Sequence, residues 1–426
     1  MLWIFLIILL FVLIVLRVPI AFAMALISII GIAANNVDLL SNVPRSIFSG
    51  VNSFTLLAVP LFVLAGEIMA RGGISQRLIN FSKLLVGRIP GGLALVVIIS
   101  SVFFAALTGT AIAAAAAIGG MLIPTMLREG YDKGFTTSLI ATASTIGPII
   151  PPSIVLILYG VIASVSISDL FIAGFIPGFL MAIGLIIYSI YVGKKNNYVI
   201  KDTKFTWKLF FKSLKDAILA LLMPIIIIGG IISGIFTATE SGVIAVFYAL
   251  IVGIFIYKEI KIPDLWGIVK NTAVTSTGIL FLIGSAAIFI WYINYESIPT
   301  QLMNIMGFAA ENPLLLLLII NIILLIAGTF IDTISAVTIF TPLFAPMIIA
   351  AGVDPVHFGI ILAVNLTIGM VTPPLGVCLF VVSSIAKQKV PVMFKHLFPQ
   401  VGILILVLLV VTYWPQLIMF PVEMFR

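Results

Sequence analysis

Cysteine occurs once in this 426-residue chain, at Cys378, and histidine twice, at His357 and His396. One thiol excludes an internal disulfide and a cysteine-built metal cage, and two histidines in connectors far apart offer no metal pair. Charge is also scarce: only 9% of residues are Asp, Glu, Lys or Arg. The motifs HExxH, GxSxG and GxxxxGK[ST] are absent, which leaves zinc-protease, serine-hydrolase and phosphate-loop chemistry without a footing.

What the chain has instead is apolar bulk. Hydrophobic residues make up 62% of it and mean hydropathy is +1.33, more than a soluble domain of this size could hide. It is therefore read as an integral membrane protein. The apolar runs are helix-length, unlike the roughly ten-residue alternating segments of a membrane barrel, which predicts an all-α polytopic fold.

The net charge of +7 belongs to particular connectors, which points to membrane orientation and not to a nucleic-acid partner. The basic stretch from Lys194 to Lys215, with aromatics between, suits a cytoplasmic loop facing anionic membrane lipid. The opening "MLWIFLIILLFVLIVL" lacks a basic start and a small-residue cleavage site and reads as a retained span. Arg17 and Pro19 then interrupt the apolar run. Two short spans, 2–16 and 18–33, turning at Arg17 keep its charge away from mid-bilayer; one long kinked helix is the alternative.

Further spans are expected near 54–70, 134–164, 168–192, 218–235, 241–257, 271–295, 356–386 and 395–418. Blocks 92–127 and 313–349 are too long for one span, and each is interrupted at its centre, by "LTGTA" (Leu107 to Ala111) and "AGTFIDT" (Ala327 to Thr333). Each reads as a re-entrant hairpin. Basic residues in the connectors around Arg71–Arg88, Arg128–Lys133, Lys194–Lys215, Lys258–Lys270 and Lys387–Lys395 fall on one side only if the first hairpin enters from the cytoplasm and the second from outside. Connectors 71–90 and 297–313 space apolar residues at helical intervals and are expected to be helices lying in the interface.

A shift of 222 residues lays "TIGPIIPPS" (Thr145 to Ser153) over "TIGMVTPPL" (Thr367 to Leu375), and brings Pro124, Gly130 and Asp132 onto Pro346, Gly352 and Asp354. This is a duplicated unit of interfacial helix, hairpin, broken span and closing span. On the charge pattern the two copies enter from opposite sides, so the repeat is inverted, the layout of secondary transporters whose sites lie where the breaks meet. Proline removes an N–H and frees a carbonyl, which lipid cannot satisfy. Pro148, Pro151 and Pro152 therefore mark backbone that must be buried or must face ions; freed carbonyls and the Thr145 hydroxyl suit a hard cation such as sodium, and helix N-termini suit an anion.

At the first hairpin tip, Thr108, Gly109 and Thr110 join a flexible turn to two hydroxyls, each of which could equally bond back to its own helix. At the second tip stand Gly328, Thr329, Asp332 and Thr333. Asp332 is the most telling, since an ionisable group dipping into the membrane is costly; it could ligate sodium, accept from a substrate hydroxyl, or cap the following helix. Asn365 could contact substrate or bond another helix. Glu240 follows two threonines ahead of a span and caps it or sits at the surface.

The strings "RVPIAFAMAL", "GPIIPPSI", "GIFTATESGVIAVFYAL" and "TPPLGVCLF" resemble, in this order and along essentially the whole chain, the large membrane subunit (DctM-like) of tripartite ATP-independent periplasmic, or TRAP, transporters. The resemblance implies a bacterial inner-membrane permease of elevator type. It works with a small four-span (DctQ-like) membrane subunit, expected here as a separate chain, and a periplasmic (DctP-like) binding protein that delivers an organic acid such as sialic acid or a C4-dicarboxylate. No cofactor is implied beyond sodium as coupling ion. It further implies sodium contacts at Thr108, Gly109, Thr145, Gly147 and Pro148 in one half and Gly328, Thr329, Thr367, Gly369 and Met370 in the other. Substrate contacts fall to Thr110, Ser153, Asp332, Thr333 and Asn365. The family often has serines where this chain has Thr108 and Thr110, and "TPTEA" where it has "TATES". Scaffold would comprise 1–91, 165–312 and 387–426, and the transport domain 92–164 and 313–386. A stand-alone sodium/dicarboxylate symporter of related architecture is the closest rival; a channel or a membrane enzyme finds less support, for want of a selectivity ring or a nucleophile.

Overall fold

In hydrocarbon a backbone has no partner but itself, and the described residues accordingly form helices and no strand. The computed structural model describes residues 2–87, 89–198, 206–307 and 312–425, apart from the side chains of 75 and 105–108. Arg88, Lys201 and Lys204 of the expected basic connectors, and part of the second interfacial connector, thus lie outside the described residues. Nine helices among the described residues are long and apolar enough to cross a membrane.

The chain opens with α1 (Leu2–Val15) and α2 (Ile20–Asn35), two helices that turn at Arg17 with φ +66°. Next come α3 (Asn42–Val51), α4 (Ala58–Arg71) and α5 (Ile74–Val86). The first hairpin is α6 (Gly92–Thr108) and α7 (Ala111–Arg128); the first broken span is α8 (Lys133–Ser144) and α9 (Ile154–Ala163). Then follow α10 (Ile167–Lys195), α11 (Trp207–Ile232), α12 (Ala238–Leu250, running on as one π turn, Ile251–Ile256), α13 (Ile262–Tyr295) and α14 (Ile298–Met306). The second hairpin is α15 (Pro313–Phe330) and α16 (Thr333–Ala350), the second broken span α17 (Pro355–Gly369) and α18 (Val377–Ala386), and the chain closes with α19 (Phe394–Tyr413) and α20 (Pro415–Phe425). The same 222-residue shift that relates the proline motifs carries α7 onto α16 end for end.

Two helix starts differ from expectation for one reason: hydropathy ends a span where charge begins, whereas a helix continues into the headgroups. Thus α11 starts at Trp207, taking in Lys208, Lys212 and Lys215, and α13 starts at Ile262, taking in Asp264 and Lys270. The expected span 395–418 stops at Tyr413, because Trp414 precedes Pro415 and leaves the helical region at ψ 69°. The short α3 was not anticipated. His357 and His396 lie within α17 and α19 and not in connectors.

The centre of the molecule is made by the first halves of the broken spans. Every residue of α8 from Gly134 to Ser144 is buried, as is every residue of α17 from Val356 to Gly369. Each half packs against the opposite half of the other span, α8 on α18 and α9 on α17. Ser144 ends α8 and meets Cys378 at the start of α18. At the far ends Gln388, just past α18, donates to the Thr137 hydroxyl near the start of α8. On the other side the Tyr159 hydroxyl of α9 donates to the Pro355 carbonyl at the start of α17 at 2.6 Å. The two broken spans therefore pass each other antiparallel with their breaks side by side, flanked by α7 and α16.

Candidate functional site

Each hairpin tip is built by a cap. Thr110 caps α7, its hydroxyl accepting from Ala113 N at 3.4 Å, after Gly109 turns the chain at φ +60°. At the matched position Asp332 caps α16, its Oδ1 accepting from Ser335 N at 3.1 Å. Asp132 and Asp354 do the same for α8 and α17, with bonds of 2.7 Å to Phe135 N and Val356 N. An N-cap satisfies amides that the first turn leaves orphaned, which explains why the matched polar residues survive in a chain this apolar.

The tips seat on the breaks. A Cβ built on Gly147 would stand 3.3 Å from the Thr110 carbonyl oxygen, and one on Gly109 would stand 3.2 Å from Ile154 N. In the second half the approach is closer still: a Cβ on Gly369 would lie 2.5 Å from Gly328 Cα, which only glycine at 369 allows, and one on Gly328 would crowd Leu366 O at 3.1 Å. Gly376 N donates across to the Thr329 carbonyl at 3.2 Å, and the Thr333 hydroxyl bonds Met370 Sδ at 2.7 Å. Gly109, Thr110 and Gly147 are thus brought together, as are Gly328, Thr329, Thr333, Gly369 and Met370. The side chain of Thr108 lies outside the described residues.

The hydroxyls nearest the breaks donate backwards. Thr145 donates to Thr142 O at 2.6 Å, Thr367 to Val364 O at 2.8 Å and Thr329 to Ile326 O at 2.8 Å. A hydroxyl whose hydrogen is taken by its own helix keeps its lone pairs turned outward, the arrangement a cation requires. The freed carbonyls are partly used already. Pro148 O accepts from the Ser153 hydroxyl, and Met370 O from Cys378 N at 3.1 Å. A carbonyl has two lone pairs, so one remains for an ion.

Ser153 and Asn365 already bond other parts of the chain. Ser153 is fully buried, its hydroxyl donating to Pro148 O and accepting from Leu156 N as the cap of α9. Asn365 makes the helix-to-helix bond: its amide donates to Asn321 Oδ1 at 2.7 Å and Asn321 O at 2.9 Å, linking α17 to α15. Asn321 in turn donates to the Thr412 hydroxyl of α19 at 3.0 Å. Sequence reasoning passed over Asn321 although it is the one amide in the apolar run "LLLLLIINIILLIAG", and polar side chains within spans commonly bond neighbouring helices. Glu240 closes a capping box with Thr237 at the start of α12. The halves also differ. The first break is buried throughout, whereas Leu375 in the second is 42% exposed.

Residues 7–417 match the family described as DctM: Tripartite ATP-independent periplasmic transporter, DctM component. The chain is 39% identical over 406 residues to the isethionate TRAP transporter permease protein DctMQ of Oleidesulfovibrio alaskensis, covering 95% of this chain and 64% of that protein, just under two thirds of its length. It is 37% identical over 407 residues to the sialic acid TRAP transporter large permease protein SiaM of Vibrio cholerae, covering 96% and 95%. Its fold is similar to the crystal structure of the Alcanivorax borkumensis YdaH transporter, with a TM-score of 0.65, 15% identity and 88% of each chain covered. The chain belongs to the DctM family of TRAP large permeases, multi-pass proteins of the bacterial inner membrane.

Proposed function

We propose that this chain, as the permease subunit, carries out sodium-coupled uptake of an organic acid handed over by a periplasmic binding protein, with a small membrane subunit at its side. The observation that carries this is the seating of each hairpin tip on the break of its own half, at break residues related by one shift, Gly147 with Gly369 and Ile154 with Gly376. Such a centre concentrates backbone carbonyls, outward lone pairs and glycine-lined backbone, with no Lys or Arg side chain among the described residues of the tips and breaks. Sodium at the tips supplies the positive charge that a carboxylate would otherwise lack, and so binds before or with the acid.

The antiparallel passage of α8–α9 past α17–α18 supports an inverted repeat, with 92–164 and 313–386 sliding as one body against the remaining helices. The substrate is an organic anion: the two relatives above are named for isethionate and sialic acid. Thr110, Asp332 and Thr333 stand at the tips where its polar groups would arrive.

The test is uptake into vesicles holding this chain and its small subunit, with binding proteins each loaded with one acid, with and without an inward sodium gradient. Uptake that needs both the gradient and a loaded binding protein is expected. Uptake by the chain alone, with free acid and no binding protein, would replace this function by that of a stand-alone symporter.

A further inference from the structure

We propose that a cavity between α5, α11 and the turn after the π segment holds the phosphate headgroup of an anionic phospholipid. The cavity measures about 1090 Å³ and is bordered by Arg77 and Asn80 of α5, Lys212 and Lys215 of α11, and Tyr257 and Glu259. Its floor is tied together. Arg77 donates to Gly73 O at 2.9 Å and to Glu259 at 3.3 Å, and its guanidinium lies 3.8 Å from the centre of the Tyr257 ring. The Tyr257 hydroxyl donates to Asp216 O at 2.7 Å, which binds the turn to α11.

The charge balance selects the ligand. Arg77 and Glu259 satisfy each other, whereas Lys212 and Lys215 are exposed and form no ion pair among the described residues. Asp216 borders the same cavity, one carboxylate against two lysines. The cavity therefore offers surplus positive charge at the end of a long apolar helix, where basic groups between spans meet anionic headgroups.

The path away from the cavity fits an acyl chain. Ile218, Leu222 and Ile225 are exposed at helical spacing on one face of α11. That face leads from the cavity to an apolar groove lined by Phe103, Pro151, Phe179, Ile225 and Ile228, beside the first break. From Lys215 to Ile225 the helix rises about 15 Å, close to the depth of one leaflet. One lipid would thus join the basic end of α11 to the wall of the first broken span.

The proposal rests on the membrane placement of the chain and not on sodium coupling, so it survives a failure of the uptake experiment. The test is lipid retention by the purified full chain in detergent, read by native mass spectrometry, together with thermal unfolding against added phosphatidylglycerol. The wild type is expected to retain phosphatidylglycerol in preference to phosphatidylcholine. The Lys212→Gln/Lys215→Gln double variant is expected to bind about 25-fold more weakly, from two roughly five-fold losses. Lys215→Gln alone, at about five-fold, keeps the test open should the double variant fold poorly, and Lys389→Gln/Lys395→Gln should match the wild type. The proposal falls if the double variant retains lipid undiminished, if phosphatidylcholine serves equally, or if inorganic phosphate at matched concentration stabilises as much. Loss of retained lipid once the small membrane subunit is co-purified would assign this face to that protein and overturn it as well.

Discussion

Gly369 at the end of α17 and Gly328 near the end of α15 touch backbone to backbone: a Cβ on Gly369 would lie 2.5 Å from both Cα and C of Gly328. No rotamer relieves such a clash, because the neighbour is main chain. Gly369→Ala is expected to lose about 1–3 kcal/mol from overpacking and to abolish uptake, since the tip must lift from the break. Gly120 and Gly402 would have nothing within 4 Å of an added Cβ. Their alanine variants should be neutral or more stable by up to about 1 kcal/mol in thermal unfolding.

Asp332 caps α16, and the substrate contact proposed for it is separable from that cap. Asparagine keeps the Oδ1 that accepts from Ser335 N but loses the charge, whereas alanine loses both. Asp332→Asn should unfold within about 0.5 kcal/mol of the wild type and Asp332→Ala about 1 kcal/mol below it, the usual worth of a cap. Both should lose uptake. Full uptake by the asparagine variant would reduce Asp332 to a cap.

Thr145 and Thr367 differ from valine by one oxygen whose hydrogen already serves the helix. Thr145→Val and Thr367→Val should fold, at a cost of about 1 kcal/mol for each lost bond. Each should raise the sodium concentration that half-saturates uptake. An unchanged sodium dependence would take that hydroxyl off the ligand set.

Asn321 holds three helices, accepting from Asn365 and donating to Thr412. Asn321→Leu takes the Oδ1 acceptor from the buried Asn365 amide and leaves it only the main-chain carbonyl at position 321, at a cost of about 1–3 kcal/mol. Asn321→Leu/Asn365→Leu removes both partners and should be less destabilised than either single variant, a coupling that thermal unfolding of the four proteins would show.

Much of the fold was legible because a bilayer allows so few solutions. Helix-length apolar runs leave only helices, and Arg17 two residues before Pro19 favours a turn over one long kinked helix. The hairpin tips announced themselves at Gly109 and Gly328, where small and polar residues interrupt apolar runs. The site was legible less evenly. Matched prolines located the breaks, yet Ser153 and Asn365, chosen for being polar nearby, donate to Pro148 and Asn321. A sequence shows that a polar group exists at a given depth but not which neighbour will satisfy it. The headgroup-facing starts of α11 and α13 were cut short because hydropathy registers charge, not helicity.

By itself the amino-acid order determined that this chain lives in a membrane, that it contains one unit twice, and that each copy breaks a helix at a pair of prolines. These follow from local facts: apolar length, a repeated string, a missing N–H. Tertiary structure alone decided that α8 lies on α18 and α9 on α17, that the lone Cys378 meets Ser144 between the breaks, and that Gly369 closes on Gly328. Those pairings join residues far apart along the chain, and they depend on shape complementarity between whole helices, which no local pattern encodes.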